Sequence, residues 1–272
     1  MIKLDEQRAT SGVSYLKAGT GKRGVIVFTH GWRDSALGWQ WVIDALERSH
    51  ATEGWRFIAV QRQEAERDET DSPGLLEDFS EQVLEAVHTE LQSGEDIIVV
   101  GQSMGGAVAE LVARKLGDAV QGLVLVTPAP LAGWPLGTEE IETFRGGARE
   151  LDPQNFGQIR TGMAHRADED TVLRIVESTP AETEKASLQS LMAWIGGHPL
   201  GKDPSAVAAP TLLVVSDDAF FPEEKLRSQT AQRFAAITVE KVSGTGHYPH
   251  LEDPGALAEI LGKFISGVSS QV

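Results

Sequence analysis

Short apolar runs recur along this chain with amphipathic stretches between them, and that alternation constrains the fold more than any other feature. The runs are VIVF (25–28), FIAV (57–60), IIVV (97–100), LVLV (123–126) and LLVV (212–215). Each is apolar at every position, as a strand buried between two layers of helix must be. A sixth run, ITVEKV (237–242), is strand-like but more polar. Between the second and third runs, GLLEDFSEQVLEAVHTEL sets Leu75, Leu76, Phe79, Val83, Leu84, Val87 and Leu91 on one helical stripe. After the third, MGGAVAELVARKLG reads as a helix that stops at Gly117. Strands alternating with helices predict an α/β domain with a doubly wound, mostly parallel sheet.

The alternation fails once. From 128 to 210 there is no strand-like run, only charge, helix formers and spaced large residues: Trp134, Phe144, Phe156, Met163, Met192 and Trp194. This predicts a core formed by 1–127 and 211–272, with 128–210 inserted as a helical lid over the carboxyl edge of the sheet. The alternative is an ordinary layer of helices packed into the core.

The chain of 272 residues carries 24 Lys plus Arg against 40 Asp plus Glu, a net charge of −16. Such acidity disfavours nucleic acid and anionic membranes as partners. With no cysteine in the chain, disulfides, thiolate metal sites and cysteine nucleophiles are excluded. MIKLDEQRAT lacks the apolar core of a signal peptide, and no apolar run is long enough to span a bilayer. The expectation is a cytoplasmic monomer or homodimer acting on a small molecule.

Gly101-Gln102-Ser103-Met104-Gly105 fits G-x-S-x-G. It follows a buried run directly and opens a helix directly, which is the setting of a nucleophile elbow. A serine hydroxyl needs a base. Of the seven histidines, His50 and His88 are expected on helix surfaces, and His165 and His198 in the lid. His247, in VSGTGHYPHLEDP after a strand-like run, is the candidate; His250 is expected to pack or cap. An acid must orient the base, and SDDAFFP offers both Asp217 and Asp218. His30-Gly31-Trp32 ends another run. Gly31 would let the Trp32 N–H approach the serine, and the Trp32 and Met104 amides could together hold an oxyanion.

HGW, GQSMGG, SDDAFFP and GTGHYPHLEDP occur in this order, each after a strand-like run. From about Gly24 to Phe264 the chain resembles the α/β-hydrolase family, in its lid-bearing serine esterase and lactonase-like branch. The resemblance implies a triad of Ser103, His247 and Asp218, the last favoured over Asp217 because Pro222 stands four residues after it. It further implies an oxyanion hole from Trp32 and Met104, hydrolysis of an ester or lactone through an acyl-enzyme, and no cofactor or metal. The same fold can also cleave C–C bonds in β-diketone-like compounds, support perhydrolysis or cofactor-free oxygenation, or serve as a ligand receptor. His30, Trp134, Met163, Met192 and Trp194 are the expected substrate contacts. Two features depart from the family pattern: QRQEAERDETDSP has no glycine-rich turn, and Val215 stands where a glycine is usual.

Overall fold

The computed structural model describes residues 3–269. The apolar runs form the centre of one eight-stranded sheet. They are β3 (Gly24–Thr29), β4 (Trp55–Val60), β5 (Asp96–Gln102), β6 (Val120–Val126) and β7 (Thr211–Ser216), followed by β8 (Ile237–Val242). Two further strands, β1 (Asp5–Arg8) and β2 (Ser14–Ala18), extend the β4 edge as an antiparallel hairpin. The sheet order is β1-β2-β4-β3-β5-β6-β7-β8, and β3 to β8 are parallel.

Alternate residues of each central strand feed two different cores. Val25, Val27, Ile97, Val99, Leu123, Leu125 and Leu213 meet α2 (Ser72–Glu90) and α3 (Met104–Leu116). Ile26, Phe28, Ile98, Val100, Val124 and Val214 meet α1 (Gln40–Arg48) and α10 (Pro254–Ser269). The chain leaves β3 toward β4 on one side and returns to β5 on the other. The carboxyl ends of β3 and β5 therefore flank the point where strand order reverses, where open α/β sheets leave a crevice for ligands.

Between β6 and β7 the chain forms α4 (Thr138–Ala148), α5 (Pro153–Arg160), α6 (Glu169–Ser178) and α7 (Glu184–Gly196), with no strand among its described residues. This segment shares the core of the sheet. Leu131, Trp134, Leu188, Leu191, Trp194 and Ile195 belong to the same apolar cluster as α2 and α3. α7 lies against α2, with Ser72 Oγ donating to Met192 O (2.8 Å). Gln189 Nε2 donates to Ala65 O and Arg67 O (2.8 and 2.7 Å), fixing the glycine-poor stretch before α2. By contrast, α4 buries only Ala148. After β7 comes α8 (Glu223–Gln229), and a last short helix, α9 (Pro249–Glu252), precedes α10. None of the described helices is long and apolar enough to cross a membrane.

Candidate active site

Ser103 is the single residue between β5 and α3. Its φ of 53° and ψ of −127° lie where side-chain-bearing residues are strained. The turn is fixed on both sides: Ser103 N–H donates to Val126 O (3.1 Å), and Ser103 O accepts from Gly106 and Ala129 N–H (2.8 and 2.9 Å). Gly105 is required because a Cβ there would stand 2.5 Å from Thr29 O and 2.7 Å from His30 O. The same economy of space operates at Gly31, whose added Cβ would lie 2.9 Å from Ser103 Cβ. The β3–α1 loop thus passes directly over the serine, bringing Trp32 beside it, while Met104 opens α3.

Ser103 Oγ lies 3.0 Å from His247 Nε2, and His247 Nδ1 lies 2.7 Å from Asp218 Oδ2. All three residues are buried. An ionised carboxylate only accepts, so Nδ1 carries the proton and Nε2 is left to accept from the serine hydroxyl. Burial works to raise the Asp218 carboxyl. Attraction and hydrogen bonding to His247, with the Phe220 and Phe221 N–H groups, outweigh it and hold the group below the usual carboxylate range. An imidazole so oriented can take the serine proton and keep a counter-charge beside it.

The backbone around His247 is equally constrained. Gln102 Nε2 and Thr127 Oγ1 both donate to His247 O (2.8 and 3.1 Å). The buried Glu252 carboxylate accepts from the N–H groups of Gly246, Tyr248, His165 and Arg166 at 2.9 to 3.1 Å. It ties the His247 loop to the chain before α6. Asp217 faces outward to Lys241 Nζ (2.7 Å) and Gly244 N–H (2.6 Å). His250 is buried on Trp39, with ring centroids 5.0 Å apart, and bonds Asp34 Oδ2 at 3.0 Å. His50 stands in a bend just past α1 rather than on the helix, and His88 is exposed on α2.

A cavity of about 20 Å³, room for about one water, adjoins Ser103. Trp32, Phe144, Met163, Trp194, Phe220 and Phe221 contribute to its wall. Of the expected substrate contacts, Met163 and Trp194 line it, whereas His30, Trp134 and Met192 do not. Trp134 packs edge-on behind Phe221 (4.7 Å between ring centroids), and Met192 packs against Arg145, with Sδ 3.7 Å from Nη2. His30 points to the opposite side of its strand end, beside Val60, Phe79 and Met104. Phe144, Phe220, Phe221 and Tyr248 were not among the expected contacts. The signal for Phe220 and Phe221 lies in their adjacency to Asp218, and Phe144 belongs to the same set of spaced large residues of 128–210 as Met163 and Trp194. Among the described residues, no three metal-ligating side chains converge.

His30 is neutral by construction. Nε2 accepts from the Arg62 N–H (3.2 Å), and Nδ1 lies 3.0 Å from Gly31 O. Burial, assisted by Arg62, pushes its pKa down to about 4. Burial also lowers His250, against the pull of Asp34. The unfolded chain therefore takes up protons that the folded protein refuses as pH falls from about 6.5 toward 4. Stability should be complete above that window and decline through it, with His30 accounting for about 3 kcal/mol. Urea unfolding at pH 8, 6 and 4.5 checks this. His30→Gln, which cannot titrate, should show a shallower decline, and an equal slope in both proteins would contradict the assignment.

Residues 26–260 match the alpha/beta hydrolase family. A probable esterase of Oryza sativa is 27% identical over 256 residues, covering 86% of this chain and 94% of that protein. An esterase from Thermogutta terrifontis superposes with a TM-score of 0.75 at 20% identity, covering 98% of this chain and 99% of that one. A bromoperoxidase from Bacillus anthracis gives 0.78 at 20% identity, covering 96% and 99%. The elbow, the reversal of strand order beside it and a family match over most of the sequence agree, and the chain belongs to the alpha/beta hydrolase family.

Proposed function

We propose that the protein hydrolyses a carboxylic ester or lactone through an acyl-enzyme formed on Ser103. The hydrogen-bonded chain Ser103–His247–Asp218, at the point where strand order reverses, carries this reading. Relatives described as esterases support it. Ser103 Oγ attacks the acyl carbon while His247 Nε2 takes its proton, and the Trp32 and Met104 amides stabilise the oxyanion. Collapse breaks the bond to the alkoxy oxygen, which leaves with the proton from His247. Water, deprotonated by His247, then attacks the acyl carbon and releases the acid and Ser103. Asp218 holds the imidazole in the required tautomer and stabilises its cation.

The test is a panel of chromogenic esters of rising acyl length, several lactones and one β-diketone, with rapid acid quenching and mass spectrometry. Turnover with an acyl mass on the peptide bearing Ser103 is expected. Turnover without any covalent adduct, or cleavage of the diketone alone, would defeat the reading.

The cavity beside Ser103 also sets an expectation for size. Its wall is aromatic, and the Phe144 ring packs edge-on against Trp32 and Trp194 (5.5 and 5.4 Å). Acetyl esters should therefore outperform octanoyl esters. Phe144→Ala should narrow that difference by about tenfold, since each methylene accommodated in an apolar pocket is worth about 1–3 kcal/mol. Trp134→Ala, behind the wall, should instead lower stability by about 3–5 kcal/mol and change all substrates alike. Comparison of kcat/KM ratios and melting temperatures for the two variants decides between wall and core.

A further inference from the structure

Four consecutive residues of the β3–α1 loop are each tied to the helices between β6 and β7. Trp32 Nε1 donates to Ser187 O (3.0 Å). Arg33 donates to Ala148 O (3.4 Å), Glu150 O (2.9 Å) and Ser187 Oγ (3.2 Å), and its guanidinium lies 4.0 Å above the Phe156 ring. Asp34 Oδ2 pairs with Arg160 Nη2 (3.1 Å). Ser35 Oγ donates to Ser178 O (2.7 Å). The partners come from α5, α6, α7, the last residue of α4 and the α4–α5 link.

Elsewhere the loop is held at Asp34 by His250 Nε2 (3.0 Å) and at Ala36, whose N–H donates to Gln61 Oε1 (3.0 Å), whereas Trp32 and Arg33 are fixed by the helices between β6 and β7. Arg33 has a φ of 54°, a conformation that costs a side-chain-bearing residue energy and persists only where the surroundings impose it. Arg33, Asp34 and Arg160 are nearly inaccessible, at 0%, 1% and 3% exposure. Charges so deeply buried are costly unless paired, and their geometry is correspondingly specified. The loop they fix is the one that brings Trp32 to Ser103.

We infer that the helices between β6 and β7 are the frame that holds the Trp32 amide in register with Ser103, with Arg33 and Arg160 as positioning residues. This rests on the reading that the Trp32 amide stabilises the oxyanion. It assigns the segment a part in the chemistry beyond enclosing the substrate.

The decisive variant is Arg160→Met, compared with Arg160→Lys. Misplacing a transition-state donor by about 1 Å costs on the order of a hundredfold. Arg160→Met should therefore lower kcat by roughly tenfold to a hundredfold and leave KM within about threefold. Affinity for a trifluoromethyl ketone, which forms an oxyanion at the same position, should fall by the same factor as kcat/KM. Arg160→Lys, which keeps the charge, should recover part of the loss. End-point labelling by a fluorophosphonate corrects each rate for the fraction of competent sites. A normal kcat per labelled site, accompanied only by a lower melting temperature, overturns the inference.

Amide exchange read by mass spectrometry gives an answer independent of turnover. Arg160→Met should accelerate exchange in residues 31–36 and leave β5 and α10 unchanged. If the wild type hydrolyses nothing on the panel, the proposed function fails while exchange still decides whether the helices hold the loop. Should Arg160→Met not fold, Ser187→Ala removes one partner of Arg33 and should show the same accelerated exchange. Unchanged exchange in that folded variant would also overturn the inference.

Discussion

Ser103→Ala is expected to lower kcat by about a millionfold, the loss typical when the nucleophile of a serine triad is removed. The residual rate should still exceed that in water by about 10³–10⁴, because the oxyanion donors and the binding site survive the substitution. Folding should be unaffected. Alanine keeps the backbone strain that serine bears at a φ of 53°, and the hydroxyl contributes only its bond to His247. Ser103→Gly separates strain from chemistry. It should be as inactive as the alanine variant, yet melt at a higher temperature, since relief of about 1–3 kcal/mol of strain outweighs the extra freedom of glycine in the unfolded chain, about 0.4–1 kcal/mol. A fluorophosphonate should label the wild type once and neither variant. Persistent labelling of Ser103→Ala would move the nucleophile elsewhere and remove the basis of the proposed chemistry.

How much could be read from the sequence depends on whether a residue answers to local or to distant constraints. The buried strands were legible because a position enclosed on both faces tolerates only apolar side chains, as in VIVF and IIVV. The hairpin of β1 and β2 was not. DEQR is exposed at all four positions, and SYLKA carries a lysine, so pairing of β1 with β2 and of β2 with β4 is what makes them strands. GQSMGG was legible because the turn demands small residues at fixed offsets. The substrate contacts were legible only in part. Met163 and Trp194 reach the cavity, but Trp134 and Met192 are large apolar residues of the same kind that the packing of α7 and Phe221 turns into core. The buried charges were hidden altogether. Nothing local distinguishes Arg33, Arg160 or Asp34 from surface residues, because their burial depends on helices separated by more than a hundred positions. The same is true of Glu252, whose role of gathering four N–H groups exists only once two distant loops meet.

The two neighbouring aspartates provide the second large effect. Asp218→Asn is expected to lower kcat by about 10⁴-fold, and Asp217→Asn by less than about tenfold. Only the first faces His247. Asp218 Oδ2 accepts from Nδ1, and Oδ1 accepts from the Phe220 N–H (2.8 Å), so the carboxylate is fixed at both oxygens. An asparagine there would accept from Phe220 through its carbonyl and turn its NH₂ toward His247. That NH₂ needs an acceptor, so Nδ1 would lose its proton and Nε2 would gain it. An Nε2–H cannot take a proton from Ser103, and no carboxylate remains to stabilise the imidazolium. Because the Asp218 carboxyl titrates below the usual range, its own protonation should not limit activity near neutrality. Asp217 instead makes an exposed, solvent-screened pair with Lys241, so its asparagine variant should differ slightly in melting temperature and little in rate. Steady-state kinetics on the best ester of the panel, with folding verified by circular dichroism, settles the assignment. The opposite ranking would mean that the loop after β7 presents its other carboxylate during turnover, and that the spacing to Pro222 marks a turn rather than the acid.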